Sequence, residues 1–139
     1  MSDGFRNPSL AVDAICLRSG GSEVLLIKRG RTPWKGKFAF PGGFVDYGED
    51  PEIAVLRELL EETGIDEEEI ELLKANERIK IEAAQYKNHE WNIFPFLFKA
   101  KNPKIKLNWE NSDFDWIEPN QIKNYETVPE LEKILFSLF

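Results

Sequence analysis

The segment from Asp50 to Ile65 is the best-delimited element of the chain. Asp50-Pro51-Glu52 is a strong helix start: an aspartate can cap, a proline fits the first helical position, and a glutamate favours the positive helix end. Gly64 is a natural stop, so the helix is expected to run to about Thr63. At about 100° per residue, Ile53, Leu56, Leu59 and Leu60 fall together and read as the core face. Glu58, Glu61 and Glu62 gather on the opposite side, where Ala54 leaves room above them. Their i, i+3, i+4 spacing brings the carboxylates together. Each like-charged pair at that spacing costs roughly 0.2–0.5 kcal/mol, and the group sits near the negative end of the helix dipole. Arg57 compensates only from one side. A hard divalent cation resolves the conflict, because magnesium takes oxygen ligands and keeps waters that a phosphate oxygen can replace. The competing reading is a solvated acidic face, and that reading suits Glu67, Glu68 and Glu69 just beyond.

The remaining chain reads mainly as strands. Leu10–Arg18 and Glu23–Arg29 flank a Gly20-Gly21-Ser22 turn and suggest a hairpin. Gly30–Gly36 is a loop, and Lys37–Phe40 is a short strand ended by Pro41-Gly42-Gly43. Further strands are expected at Ile70–Ala75, Ile79–Ala84, Trp91–Ala100 and Phe114–Ile117. Pro119–Tyr125 reads as a short helix. Pro129–Leu138 reads as a terminal helix with Leu131, Ile134, Leu135 and Leu138 on one face. Many strands with few helices imply an α/β fold, a mixed sheet covered by helices on both sides. No repeat, low-complexity tract or linker divides residues 1–139, so a single domain is expected.

Composition narrows the chemistry. Eighteen basic against 25 acidic residues give a net charge of −7, which argues against nonspecific nucleic-acid or membrane-surface binding. One cysteine, Cys16, rules out an intrachain disulfide and a cysteine zinc site, and it reads as a small buried side chain. One histidine, His89, makes histidine-based metal motifs and a Ser-His-Asp triad poor explanations. Nothing resembles a signal peptide or an apolar span, so a cytoplasmic protein is expected.

From Gly43 to Ile65 the sequence is GFVDYGEDPEIAVLRELLEETGI. It resembles the Nudix box, G-x5-E-x7-R-E-U-x-E-E-x-G-U with U a bulky aliphatic residue. Gly43, Glu49, Arg57, Glu58, Leu59, Glu61, Glu62, Gly64 and Ile65 fill every required position. The preceding VLLIKRGRTPWKGKFAFP is similar to the usual approach to the box, so the resemblance covers at least Val24–Ile65. It implies an α/β/α sandwich and a metal-dependent hydrolase of diphosphate linkages. It also implies residue roles. Glu58 and Glu62 would be the main metal carboxylates, with Glu61 a further or outer ligand and the Gly43 carbonyl a backbone ligand. Arg57 would orient the carboxylates, Glu49 would pair with Arg57 or reach the metal shell, and Gly64 would end the helix. Mg2+ is the expected ion, and Mn2+ fits the same ligands. The attacking water must lose a proton to a glutamate, and Glu58, Glu82, Glu90 and Glu110 are all open as acceptors.

Lys28, Arg29, Arg31, Lys35 and Lys37 concentrate positive charge before the box. Arg29 is the foremost phosphate contact among them, and Trp34 is a candidate to stack on a base. Trp91, Phe94, Phe96 and Phe98, like Trp109 and Trp116, read as packing residues. The segment PSLAVDAICL followed by the box resembles ADP-ribose pyrophosphatases. A proline that those enzymes often carry about fifteen residues after the box is missing here, and the NADH-pyrophosphatase signature is absent. The substrate is expected to be a small nucleotide, an ADP-ribose-like nucleotide sugar first and a (deoxy)nucleoside triphosphate second. A noncatalytic nucleotide-sensing module is the third reading, and a homodimer is a family-level expectation.

Overall fold

Leu10–Leu17 and Val24–Ile27 are near-continuous apolar runs rather than alternating ones, the pattern of strands covered on both faces. The computed structural model describes residues 6–32, 34–75, 79–82 and 90–138, without the side chains of residues 6–9, 19, 79–82, 90 and 91. In it the two runs form the centre of an eight-stranded sheet: β1 (Arg6–Arg18), β2 (Glu23–Arg29), β3 (Phe38–Ala39), β4 (Gly42–Asp46), β5 (Ile70–Ala75), β6 (Ile79–Glu82), β7 (Glu90–Ala100) and β8 (Asn111–Ile117). The spine of the sheet runs β3-β2-β1-β7-β5, with β4 on β1, β6 on β7 and β8 on β2. β1 runs parallel to β7 and antiparallel to both β2 and β4, so the sheet is mixed as expected. The β1–β2 hairpin is short, pairing Leu17 with Val24 and Arg18 with Glu23 around a 3-10 turn at Ser19–Gly21.

The period-2 alternation of the strands supplies two cores. Val12, Ala14, Cys16, Leu25, Phe96, Phe98 and Trp116 face helix α1 (Pro51–Thr63), which contributes Ala54, Val55 and Leu59. Ile15, Leu17, Val24, Leu26, Leu97 and Ile117 face the opposite layer. That layer is a 3-10 helix at Pro119–Asn124 and helix α2 (Leu131–Phe136), whose Leu131, Ile134 and Leu135 are buried with Leu138. The result is an α/β/α sandwich. Among the described residues no helix is long and apolar enough to cross a membrane.

Several expectations are corrected. The short helix expected at Pro119–Tyr125 is present as a 3-10 helix over Pro119–Asn124, whereas α2 is shorter than Pro129–Leu138 because Glu130 takes a left-handed φ of 68°. Gly42–Asp46 is a strand rather than a terminating turn, because the glycines pair with β1: Gly43 with Val12 and Gly42 with Asp13. Trp109 is 77% exposed and lies outside the core, with the Arg31 guanidinium over its ring at 5.0 Å. Trp116 is buried, as expected, and Arg18 lies over its ring. The Ile79–Ala84 expectation is met by β6 as far as Glu82, and residues 83 and 84 lie outside the described residues. So do His89 and the side chain of Trp91.

Candidate active site

Helix α1 begins and ends as its sequence dictates. Asp50 is its N-cap with extended backbone, Pro51 takes the first position, and Gly64 closes it with φ 74°, donating its N–H to the Leu60 carbonyl at 3.0 Å. The Asp50 side chain itself makes no capping hydrogen bond.

The face of α1 that meets the sheet only partly overlaps the face the apolar spacing picks out: Leu59 is buried and Leu56 packs against the core. Ile53 is 58% exposed and Leu60 52%, while Ala54, Val55, Leu59, Glu62 and Thr63 are buried. Two of the three glutamates therefore lie on the sheet side of the helix: Glu62 is 6% exposed and the Glu58 side chain is largely covered. Glu61 is exposed. The helix can seat carboxylates there because the facing strand carries glycine. A Cβ on Gly43 would stand 2.6 Å from Glu58 Cδ and 2.7 Å from each of its oxygens. On Gly42 it would stand 2.1 Å from the Val12 carbonyl oxygen and 2.8 Å from Asp13 Oδ1. Both positions admit only glycine without displacing backbone or carboxylate.

Arg57 ties the helix to the loop before it. Its Nε donates to Glu49 Oε2 (2.9 Å) and its Nη2 to Glu49 Oε1 (3.0 Å), a bidentate pair. Nη2 also donates to the Phe44 carbonyl at 3.1 Å, and Nη1 donates to Glu58 Oε1 at 2.9 Å. Glu61 stands 3.6 Å from Nη1. The hydrogen bond from Arg57 holds the Glu49 carboxyl below its usual range, and Glu49 in turn holds the guanidinium protonated. Glu62 is fixed separately: Oε1 accepts from the Gly42 N–H at 2.8 Å and Oε2 from Asn111 Nδ2 at 3.2 Å.

Burial pushes Glu58 up to about 7 against the opposing pull of Arg57, with Glu61 and Glu110 adding repulsion. Burial pushes Glu62 up to about 8, with repulsion from Glu58 and Glu110 outweighing part of the help from Gly42 and Asn111. The expected convergence of three carboxylates is met only in part. Among the described residues, no three His, Cys, Asp or Glu side chains are gathered closely enough to hold an ion. Arg57 draws Glu58 one way, Gly42 and Asn111 draw Glu62 another, and Glu61 faces solvent. The donor set nevertheless fits a hard cation: two covered oxygen donors one helical turn apart, mutually repelling, above a strand stripped of side chains.

These residues line one side of a cleft of about 690 Å³. Arg29 and Trp34 line it as well, Trp34 with a left-handed φ of 59°. Glu110 reaches the cleft from the turn before β8, held by Asn108 Nδ2 at 3.1 Å and by an ion pair with Arg31. The carboxyls of Glu82 and Glu90 lie outside the described residues. Lys37 pairs instead with Glu126 at 2.9 Å. Two further site residues are absent from the sequence reading. Asn111 carries no local signal, since its partner Glu62 is 49 positions away. Asp13, also on the cleft wall, had one: it is the lone charge in the apolar run Leu10–Leu17.

Comparison with known proteins matches this geometry to one family. The model of the NUDIX domain matches residues 7–138. An ADP-ribose pyrophosphatase of Methanocaldococcus jannaschii is 51% identical over 61 residues, covering 44% of this chain and 35% of that protein. An RNA pyrophosphohydrolase of Tolumonas auensis is 43% identical over 110 residues, covering 78% of this chain and 48% of that protein. The chain thus spans between about a third and a half of the length of these two relatives. Among solved structures, a Caenorhabditis elegans Ap4A hydrolase in a binary complex superposes with a TM-score of 0.78 at 25% identity, covering 93% of this chain and 95% of that one. With the family model spanning nearly its whole length and the box carboxylates seated over paired glycines, this chain belongs to the Nudix family.

Proposed function

We propose that the chain is a magnesium-dependent pyrophosphohydrolase that cleaves the diphosphate linkage of an ADP-ribose-like nucleotide sugar. The observation that carries this reading is the pair Glu58 and Glu62, covered on the sheet side of α1, Glu58 over a Gly43 that leaves room for nothing larger and Glu62 held by the Gly42 N–H. Glu58, Glu62 and the Gly43 carbonyl would hold the ion, with Glu61 at its outer edge. When bound, the cation supplies charge neutralisation at the phosphate oxygens and a more acidic water. The chain's own residues do the rest. Arg57, anchored on Glu49, keeps Glu58 in place, and Asn111 with the Gly42 N–H keeps Glu62 in place. Such fixed partners limit the reorganisation needed during reaction. Arg29 contributes positive charge on the cleft wall for the diphosphate, and Trp34 an aromatic face for the base. A glutamate takes the proton of the attacking water, and Glu58 and Glu110 both face the cleft.

The relative named for ADP-ribose supports that substrate ahead of nucleoside triphosphates. The test is incubation with Mg2+ and a panel containing ADP-ribose, other nucleoside diphosphate sugars and (deoxy)nucleoside triphosphates, with products resolved by chromatography. AMP and ribose 5-phosphate released from ADP-ribose, and their loss in Glu62→Gln, are the expected result. Release of pyrophosphate from triphosphates alone would transfer the assignment to nucleotide sanitation. Tight nucleotide binding without turnover under any metal would make the domain a sensor. Glu110→Gln and Glu58→Gln, compared at saturating Mg2+, separate the two proton acceptors.

A further inference from the structure

The cleft has a second end that the diphosphate chemistry does not use. β1 sends Val12, Ala14 and Cys16 toward α1, and Ile15 and Leu17 toward α2. Asp13 follows the second set, so its carboxyl stands on the α2 side of the sheet, across the Gly42–Gly43 strand from Glu58 and Glu62. The cleft wall around it is apolar: Phe40, Ile93, Val128 and Ile134. Gly42 gives the carboxyl its place, since a Cβ there would lie 2.8 Å from Asp13 Oδ1.

Among the described residues Asp13 has no ion pair and no side-chain hydrogen bond. Burial acts on it without any compensating partner and pushes its carboxyl up to about 7. Asp13 is half-buried rather than sealed off, so a carboxyl without a protein partner stands where a ligand in the cleft can reach it. Nothing in the packing requires an acid there: the neighbours on the same face of β1 are Ile15 and Leu17. The partner that would satisfy it is therefore one that enters the cleft.

The surroundings restrict what that partner is. Above pH 7, where it is ionised, the Asp13 carboxylate only accepts hydrogen bonds, so there the ligand must present an N–H or O–H. A sugar would press several hydroxyls against Ile93, Val128 and Ile134, leaving them unsatisfied. A flat heteroaromatic ring with one amino edge suits apolar walls and a single acceptor. We infer that Asp13 is a specificity-determining residue that accepts a hydrogen bond from the exocyclic amino group of a purine base lodged at the α2 end of the cleft. This rests on the reading that the cleft takes a nucleotide, with the diphosphate lying toward α1.

AMP and IMP carry the same phosphate and sugar and differ at the purine 6-position, amino in one and carbonyl in the other. Titration calorimetry of the full chain with each at about pH 8.5, where Asp13 is ionised, is the direct test. The wild-type protein is expected to bind AMP at least about tenfold more tightly than IMP, because a site built around a donor rejects the analogue that lacks it. Asp13→Asn should bring the two affinities to within about twofold, since its amide both accepts and donates. Asp13→Leu should lose the preference too. Neither variant should melt below wild type, because a half-buried acid without a protein partner has gone. With ADP-ribose as substrate, the Asp13 variants should raise KM and leave kcat within about threefold, the acid pair being untouched. Equal binding of AMP and IMP by the wild type would overturn the inference, and so would a preference that survives in both variants. If ADP-ribose is hydrolysed while either of those results is found, only the role of Asp13 fails. If neither nucleotide binds and no diphosphate is cleaved, the nucleotide reading fails with it.

Discussion

Two acidic triplets stand five residues apart in this chain and meet opposite fates. Glu58, Glu61 and Glu62 belong to α1, and two of them are pressed against a strand of the sheet. Glu67, Glu68 and Glu69 form an exposed to half-exposed 3-10 turn closed by Asp66. Asp66 accepts from the Glu68 N–H at 3.3 Å, and Glu69 accepts from the Asp66 N–H at 3.1 Å. The second triplet is stabilised by its own backbone and by water. In the first, burial opposes ionisation of Glu58 and Glu62, and its order depends on Arg57, Gly42 and Asn111. Acidity alone is therefore uninformative about a site. The facing strand decides: the missing side chain at Gly43 leaves room for the Glu58 carboxylate, and the Gly42 N–H holds Glu62, at positions normally reserved for apolar groups.

The widest gap between the triplets should appear in turnover. Glu62→Gln is expected to lower kcat by about a hundredfold or more, whereas Glu68→Gln should stay within twofold of wild type in the same assay. Comparable losses from both would erase the distinction. Gly43→Ala comes next. Its Cβ must displace the Glu58 carboxylate, and a misplacement near 1 Å costs about a hundredfold in rate. Circular dichroism should show the fold retained, and an active Gly43→Ala enzyme would show that Glu58 needs no such room.

Stability tests the same comparison on the helix itself. Leu59→Ala, at the fully buried position, should cost about 2–5 kcal/mol in denaturant unfolding. Leu60→Ser, one residue on, should cost under about 1 kcal/mol because its side chain is already half in water. Equal losses would place the helix face wrongly.

The smallest expected effect is in pH dependence. In chelator-treated protein the native Glu62 carboxyl titrates near 8, above its ordinary 4.5, so between those values the folded state holds a proton that the unfolded chain releases. That contribution is fully present below about pH 4.5 and is lost as pH rises through 8. Apo stability should therefore fall across that window, and Glu62→Gln should flatten the slope in thermal melts. A slope unchanged by the substitution would show Glu62 to be ionised throughout.

Much of this was legible in the chain. The helix start at Asp50-Pro51, the stop at Gly64, the strands at Glu23–Arg29 and Ile70–Ala75, and the box residues themselves are local signals. The bidentate Arg57–Glu49 pair follows a spacing that the resemblance to the family carries. The helix face was misread because Leu60 and Ile53 carry the right chemistry at the right period, and only docking against β4 reveals that the carboxylates face inward. Asp13 passed unremarked because a single acid in a strand says nothing until the neighbouring strand is known.

By itself the sequence determined most of the elements, both ends of α1 and the identity of the acids, since capping, periodicity and turn chemistry act over a few neighbouring residues. Tertiary structure alone decided which side of α1 is covered, that Asn111 reaches Glu62 and that Asp13 shares a cleft with Glu58 and Glu62. Those facts depend on which strand lies opposite, and that pairing is fixed by the joint burial of two apolar layers rather than by any local pattern.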